Sequence, residues 1–284
     1  MTALVTGGAG FVASHLIAEL KQSNWDVVRT DVVQGNDPFI RVADLRDVSA
    51  LRSLVAEVKP DAVVHLGAIS FVPDAAKDAE LLEQVNVEGT GNLLAIVESL
   101  VPHSRFLFAS TSHVLNVPLS DYAKSKLAAE KKVCDSADRG LRAVIARPAN
   151  HTGPGQSSKF VVPSFVKQAK EIKAGIRSRF TVGNLESVRD FTDVRDVVRA
   201  YRMLIEDKSA RGVYNVCSDC RMQIGEMLEV IASIVGIPPH YEIDERLWRP
   251  ADISPIVDAS RLKALGWRPK ISIEETISDI CCCN

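Results

Sequence analysis

Short, almost continuously apolar runs alternate along the first half of the chain with longer segments in which apolar residues recur every three or four positions. The runs are Ala3–Val5, Asp26–Arg29, Ala62–Leu66, Phe106–Phe108 and Ala143–Ile145. The amphipathic segments between them are Val12–Gln22, Val48–Val58, Leu81–Leu100 and Tyr122–Ala137. Short runs without polar alternation suit strands buried on both faces of a parallel sheet, and the 3.6-residue period predicts helices laid over those faces. The repeated strand–helix order predicts an α/β fold, a doubly wound parallel sheet of the Rossmann type. After Pro148 the texture changes. Turn-rich His151–Ser158 leads into a helical stretch, Val162–Ala174, then a strand candidate, Val213–Val216, and a helix, Ile224–Val235. Prolines at 238, 239, 250, 255 and 269 break the remainder. This predicts a second, smaller and irregular α/β domain over 151–185 and 222–284, with 1–150 forming the first domain and 186–221 returning to it.

Composition narrows the class of function. Of 284 residues, 46% are apolar and 25% charged, with a formal net charge of −2, an ordinary globular balance. No clustered basic excess marks a nucleic-acid partner. The apolar stretches near the N-terminus are interrupted by glycines, His15 and Glu19, and no 18-residue apolar span exists. A protein without membrane association, in the cytoplasm, is therefore expected. Cys217 and Cys220 form a lone C-x-x-C with no second pair at ligand spacing, so a packing role and no metal are expected. Cys134 and the terminal Cys281–Cys283 complete the six; the residues after Cys281 are not aliphatic, which argues against prenylation.

Thr6-Gly7-Gly8-Ala9-Gly10-Phe11-Val12-Ala13 joins the first strand to the first helix. Glycines permit a tight turn and let backbone approach a pyrophosphate, while the helix N-terminus offers N–H groups and positive dipole to the anion. A glycine-rich turn alone is weak evidence. Here Asp31 ends the second strand at the distance where a carboxylate meets the adenosine ribose hydroxyls. Gly7, Gly10, Phe11, Val12 and Asp31 are thus candidate NAD-binding residues. Asp44-Leu45 after the third strand would suit the adenine edge, and Gly67-Ala68 after the fourth would line the cofactor with backbone. Ala13 stands where a third glycine is usual, at a position that governs helix–strand packing. Arg29, two residues before Asp31 on the same strand face, leaves NADP admissible.

Tyr122 and Lys126 lie four apart on one helix face, downstream of the hydroxyl cluster Ser110-Thr111-Ser112-His113 at the end of the fifth strand. A neighbouring ammonium is expected to lower a tyrosine pKa toward the working range of an acid–base catalyst. Y-x-x-x-K by itself is common on solvated helices. Combined with the glycine turn and the hydroxyl cluster, it resembles the extended short-chain dehydrogenase/reductase family from near the N-terminus to about Ile280. The resemblance implies a triad of Thr111, Tyr122 and Lys126, with the last two also touching the cofactor.

Later motifs are similar to the GDP-sugar branch of that family, which holds GDP-mannose 4,6-dehydratases and GDP-6-deoxy-mannose reductases. They are Arg147-Pro-Ala-Asn150-His-Thr-Gly-Pro-Gly155, Val182-Gly-Asn-Leu-Glu-Ser-Val-Arg189-Asp-Phe and Arg249-Pro-Ala-Asp252. The likeness implies a nucleotide-diphosphate sugar substrate in the second domain, touched by Asn150 and clamped by Arg189 and Arg249. Ser112 and His113 would face the sugar. Guanidinium forks suit phosphate oxygens. Two positions depart from the pattern: the stretch from Thr111 to Tyr122 is short, and Ala149 replaces the usual aromatic. The resemblance implies three competing reactions: C4 reduction of a GDP-4-keto-6-deoxyhexose, 4,6-dehydration of GDP-mannose, and 4-epimerisation. Dehydration calls for a glutamate two residues after the triad hydroxyl, where this chain has His113, so reduction is the expected activity. A homodimer is also expected, through Leu81–Leu100 and Tyr122–Ala137, whose apolar spacing exceeds what one sheet face uses.

Overall fold

Seven strands pair in parallel into a single sheet: β1 (Thr2–Thr6), β2 (Asp26–Asp31), β3 (Ile40–Val42), β4 (Ala62–His65), β5 (Arg105–Ala109), β6 (Arg142–Pro148) and β10 (Gly212–Val216). Their spatial order is β3-β2-β1-β4-β5-β6-β10. The fold is taken from a computed structural model that describes residues 1–34, 37–70, 78–116, 119–248, 250 and 254–283. The direction of winding reverses between β1 and β4, and in such sheets ligands bind beyond the carboxyl ends of the strands at that reversal.

The helices of this unit are α1 (Phe11–Gln22), α2 (Val48–Val58), α3 (Ala79–Glu83), α4 (Gly89–Leu100), α5 (Asp121–Asp138), the C-terminal part of α7 (Val194–Glu206) and α9 (Ser260–Ala264). The one helix expected over Leu81–Leu100 is instead α3 and α4 joined by a π-helical turn, Gln84–Glu88. Leu4, Val63, Phe106, Phe108 and Ile145 from the strands pack with Leu51, Leu93, Ile96 and Val133 from the helices into one core. Burying strands on both faces explains why their sequence reads as unbroken apolar runs.

A smaller unit is built from β7 (Asn150–Thr152), β9 (Val188–Asp193) and β11 (Arg221–Gln223), which form a three-stranded sheet, and from β8 (Phe180–Val182) paired with β12 (Tyr241–Ile243). Helices α6 (Val161–Lys173), α8 (Ile224–Val235) and α10 (Ile273–Cys282) enclose a second core around Phe165, Phe180, Met227, Ile231 and Ile277.

The two units depart from the sequence-based boundaries, and residues 149–150 and 217–221, expected in the first domain, fall in the smaller unit. The larger unit comprises Met1–Pro148, Val198–Val216 and Ala259–Trp267; the smaller comprises Ala149–Val197, Cys217–Asp258 and Arg268–Asn284. Strand β9, expected to return to the first domain, pairs with β7 and β11 and buries Phe191 in the smaller core. The segment 259–267, expected in the second domain, belongs to the first. Arg261 donates to the carbonyls of Val213 (2.7 Å) and Arg211 (2.9 Å) and stacks over Tyr214, fastening α9 to β10. Among the described residues no helix is long and apolar enough to cross a membrane.

Candidate functional site

The glycine turn sits at the carboxyl end of β1, next to the reversal of the sheet. Gly7 has φ +67°, a left-handed conformation that L side chains rarely adopt, and a Cβ there would lie 2.8 Å from the Gly67 amide nitrogen. The turn thus packs backbone to backbone against the loop after β4. Gly8 donates to the Thr30 carbonyl and Gly10 to that of Gly7, which closes the turn ahead of α1. No side chain caps α1 at Gly10, so the first turn, with Phe11 and Val12, presents an N-terminus of the type that receives an anion. The Asp31 carboxylate accepts from the amides of Ala9 (3.0 Å) and Val32 (2.7 Å), tying the turn to the end of β2.

Asp44 and Leu45, expected against the adenine, lie just beyond β3. Asp44 accepts from the backbone and the guanidinium of Arg46, and this hydrogen bonding holds its carboxyl below the usual range. Leu45 is buried in the core, with its Cβ tight against Gly89. Gly67 donates to Thr6 Oγ1, which also bonds His65 Nδ1, and His65 Nε2 meets Thr90 Oγ1. Burial, reinforced by the charge of Lys126, pushes the His65 imidazole down to about 3, so it is neutral at any working pH. After Ala68, Ile69 exchanges hydrogen bonds in both directions with the Asn86 amide, which also donates to Ser125 Oγ.

Helix α5 begins at a Ser120 N-cap accepting from the Ala123 amide, which fixes Tyr122 in the first turn. Thr111, at the end of β5, caps a 3-10 turn over Ser112–Leu115 and hydrogen-bonds Tyr122. Lys126 is buried and donates to the Ala109 carbonyl (2.8 Å), with its ammonium 4.7 Å from the Phe108 ring centroid. Thr111, Tyr122 and Lys126 are therefore brought together. Their electrostatics differ from expectation. Burial pushes the Tyr122 phenol up to about 12, against the downward pull of Thr111. That burial outweighs the nearby Lys126, whose ammonium donates to Ala109 and is itself pushed down to about 8 by burial, with Glu130 opposing.

Ser112 is buried and His113 half-buried in the 3-10 turn. Asn150 and Arg189 belong to the smaller unit, on neighbouring strands β7 and β9. The Asn150 side-chain amide oxygen, Oδ1, is buried without a hydrogen-bond partner, a costly state that a polar ligand would relieve. Arg189 is half-buried and donates to the Val188 carbonyl. Arg249 lies outside the described residues. The same unit holds a cavity of about 420 Å³ lined by Ser164, Lys167, Gln168, Arg177, Thr181 and Arg246, which sequence reading missed. Cys217 is buried and donates its thiol to the Val257 carbonyl.

Residues 4–280 match the family model described as GDP-mannose 4,6 dehydratase. The chain belongs to that family. It is 34% identical to the GDP-6-deoxy-D-mannose reductase of Pseudomonas aeruginosa, over 97% of this chain and 94% of the relative. A solved structure of RMD from Pseudomonas aeruginosa complexed with NADPH superimposes with a TM-score of 0.86 at 33% identity, covering 99% of this chain and 97% of that one. The UDP-glucose 4-epimerase of Thermus thermophilus in complex with NAD gives a TM-score of 0.86 at 28% identity, covering 99% and 98%. Asn86 and Glu130 are among the buried polar residues near Tyr122 and Lys126 that sequence reading passed over. Asn86 sits in a π turn, a distortion frequent at functional sites and invisible to a 3.6-residue pattern.

Proposed function

We propose that the protein reduces the 4-keto group of a GDP-4-keto-6-deoxyhexose, using Thr111, Tyr122 and Lys126. The carrying observation is the placement of Tyr122, half-buried in the first turn of α5 and hydrogen-bonded to Thr111, with its phenol pushed up by burial. A reductase needs a proton donor for the alkoxide that emerges at C4, and a protonated phenol is that donor. Thr111 would hold the sugar oxygen, and Lys126 would stabilise the tyrosinate left after transfer. The chain is a nicotinamide-dependent enzyme of the short-chain dehydrogenase/reductase type, and the bound cofactor supplies the hydride. Gly7, Gly10, the first turn of α1 and Asp31 fit it, since a side chain at Gly7 would collide with Gly67.

The similarity to a GDP-6-deoxy-D-mannose reductase supports reduction. So does His113, half-buried where dehydration would call for a carboxylate. The orphaned Asn150 oxygen and Arg189 are the proposed sugar-nucleotide contacts, with Arg249 assigned from its motif alone. The test supplies GDP-mannose with catalytic NAD(P)+ and no reductant, alongside the 4-keto-6-deoxy sugar with NAD(P)H. We expect nicotinamide oxidation and a 4-hydroxy product only in the second mixture. Accumulation of a 4-keto-6-deoxy sugar in the first would make the protein a dehydratase.

We also propose a homodimer with α4 and α5 at its two-fold interface. The outer face of α5 supports it, with Leu127 exposed beside a shallow apolar depression lined by Leu119, Ala128 and Cys134. Light scattering at micromolar concentration should return twice the 31.0 kDa chain mass. A value at the chain mass itself rules the dimer out.

A further inference from the structure

Tyr122, Lys126 and Glu130 stand at i, i+4 and i+8 of α5, one stripe along the helix. The last residue of β5 and the one after it receive this stripe. Ala109 offers its carbonyl to the Lys126 ammonium (2.8 Å), and Ser110 donates its hydroxyl to Glu130 Oε1 (2.5 Å). From the end of β6, the Arg147 guanidinium forks onto both Glu130 oxygens, its Nε 2.8 Å from Oε1 and its Nη2 on Oε2. Glu130 is only 3% exposed. The backbone bond from the Ser110 amide to the Ala146 carbonyl locks the two strand ends in register, so Glu130 has little freedom to leave.

A buried ion pair of this kind contributes little to stability, because desolvating both charges offsets their attraction. Its place, one turn below the lysine, has a different consequence. We propose that Glu130 is a positioning residue that keeps Lys126 in its charged form at working pH, with Ser110 and Arg147 fixing it there. The proposal rests on the reading of Tyr122 and Lys126 as the acid–base pair. Burial alone drives Lys126 toward its neutral form, and Glu130 is the group that opposes it. The other titratable groups around the stripe do not substitute for it. His65 on β4 is neutral, Arg147 on β6 is a cation, and Tyr122, with Tyr201 of α7 near it, stays protonated because burial pushes both phenols up.

The sign follows from which form of Lys126 is useful. The ammonium stabilises developing tyrosinate, so turnover is lost as pH rises through the lysine pKa, which lies at about 8 with Glu130 in place. Glu130→Gln removes the opposing charge and should lower that midpoint by about one pH unit, given a charge one helical turn away. The protonated fraction, and with it kcat, then falls about fivefold at pH 8 and hardly at all at pH 6.

The experiment is a 13C-ε-lysine NMR titration of the full cofactor-free chain, with Lys126→Arg assigning the resonance, followed by kcat–pH profiles. We expect the Lys126 midpoint and the alkaline limb of kcat to move down together in Glu130→Gln and to stay near wild type in Glu130→Asp. Should Glu130→Gln fail to fold, the double variant Glu130→Gln/Arg147→Gln leaves no uncompensated buried charge and should still lower the midpoint. An unchanged midpoint in a folded variant, or a kcat loss equal at pH 6 and pH 8, overturns the proposal. The NMR titration needs no substrate, so it stands even if the protein turns over a different sugar.

Discussion

Replacing Tyr122 with phenylalanine should lower kcat by roughly 10²–10⁴, the span typical of losing a positioned general acid, while cofactor binding changes little. The expectation rests on the placement of the phenol rather than on a depressed pKa. Ser120 caps α5 and sets Tyr122 in its first turn, and Thr111 meets the phenol from the end of β5. With the phenol pushed up to about 12, proton donation should be available across the neutral range. The alkaline limb of kcat should therefore follow Lys126, near 8, and not the tyrosine itself. Rapid-mixing and steady-state assays of Tyr122→Phe with the 4-keto-6-deoxy sugar check both points. A variant that retained wild-type kcat would remove Tyr122 from the chemistry. One that lost cofactor affinity in step with kcat would assign it a binding role instead.

The glycine turn, the place of Asp31 at the end of β2 and the nearness of Thr111 to Tyr122 and Lys126 were legible because each depends on local chain order: a strand end, a tight turn, a helix start. The strands of the main sheet read clearly for a related reason, since burial on both faces leaves unbroken apolar runs such as Ala62–Val64. What escaped depends on tertiary register. Glu130 follows Lys126 by four residues and, as sequence, is one more charged helical position. Only the lateral pairing of β5 with β6 brings Ser110 and Arg147 onto it. Asn86 lies within an apolar pattern that reads as one helix, and the π turn inserts a residue per turn that shifts the phase without altering composition.

Helix α7 was legible in principle. Val194, Val197, Val198, Tyr201, Leu204 and Ile205 recur at three- and four-residue spacing and are all buried. The four charged residues among them, Arg195, Asp196, Arg199 and Arg202, obscure the stripe. The return of 259–267 to the larger unit had no comparable signal. It depends on Arg261 finding two backbone carbonyls and the Tyr214 ring, contacts that no periodicity encodes. The pKa of Tyr122 failed for a complementary reason. Spacing places a lysine near the phenol, but the burial that pushes the phenol up comes from tertiary packing that spacing does not encode.

Asp31→Ala should lower kcat/KM for NADH by roughly 10- to 100-fold, the equivalent of about one hydrogen bond to a charged group. NADPH should lose less, so the preference for NADH narrows or inverts. The Asp31 carboxylate stands at the end of β2, half-buried, where two ribose hydroxyls would use its remaining lone pairs and a 2′-phosphate would meet its charge. Arg29, the nearby cation on the same strand, is already paired with Asp37 at 2.7 Å and so offers a phosphate less than its charge suggests. The same carboxylate holds the Ala9 and Val32 amides, so alanine also loosens the turn and costs both cofactors something. Asp31→Asn separates the two effects. Its amide oxygen can still accept one of those bonds, while the charge is gone, so NADPH use should rise without the general loss. Steady-state kinetics with both cofactors for the wild type and both variants decide the matter. A wild-type enzyme that prefers NADPH despite Asp31 would show that the carboxylate serves the turn and not the ribose.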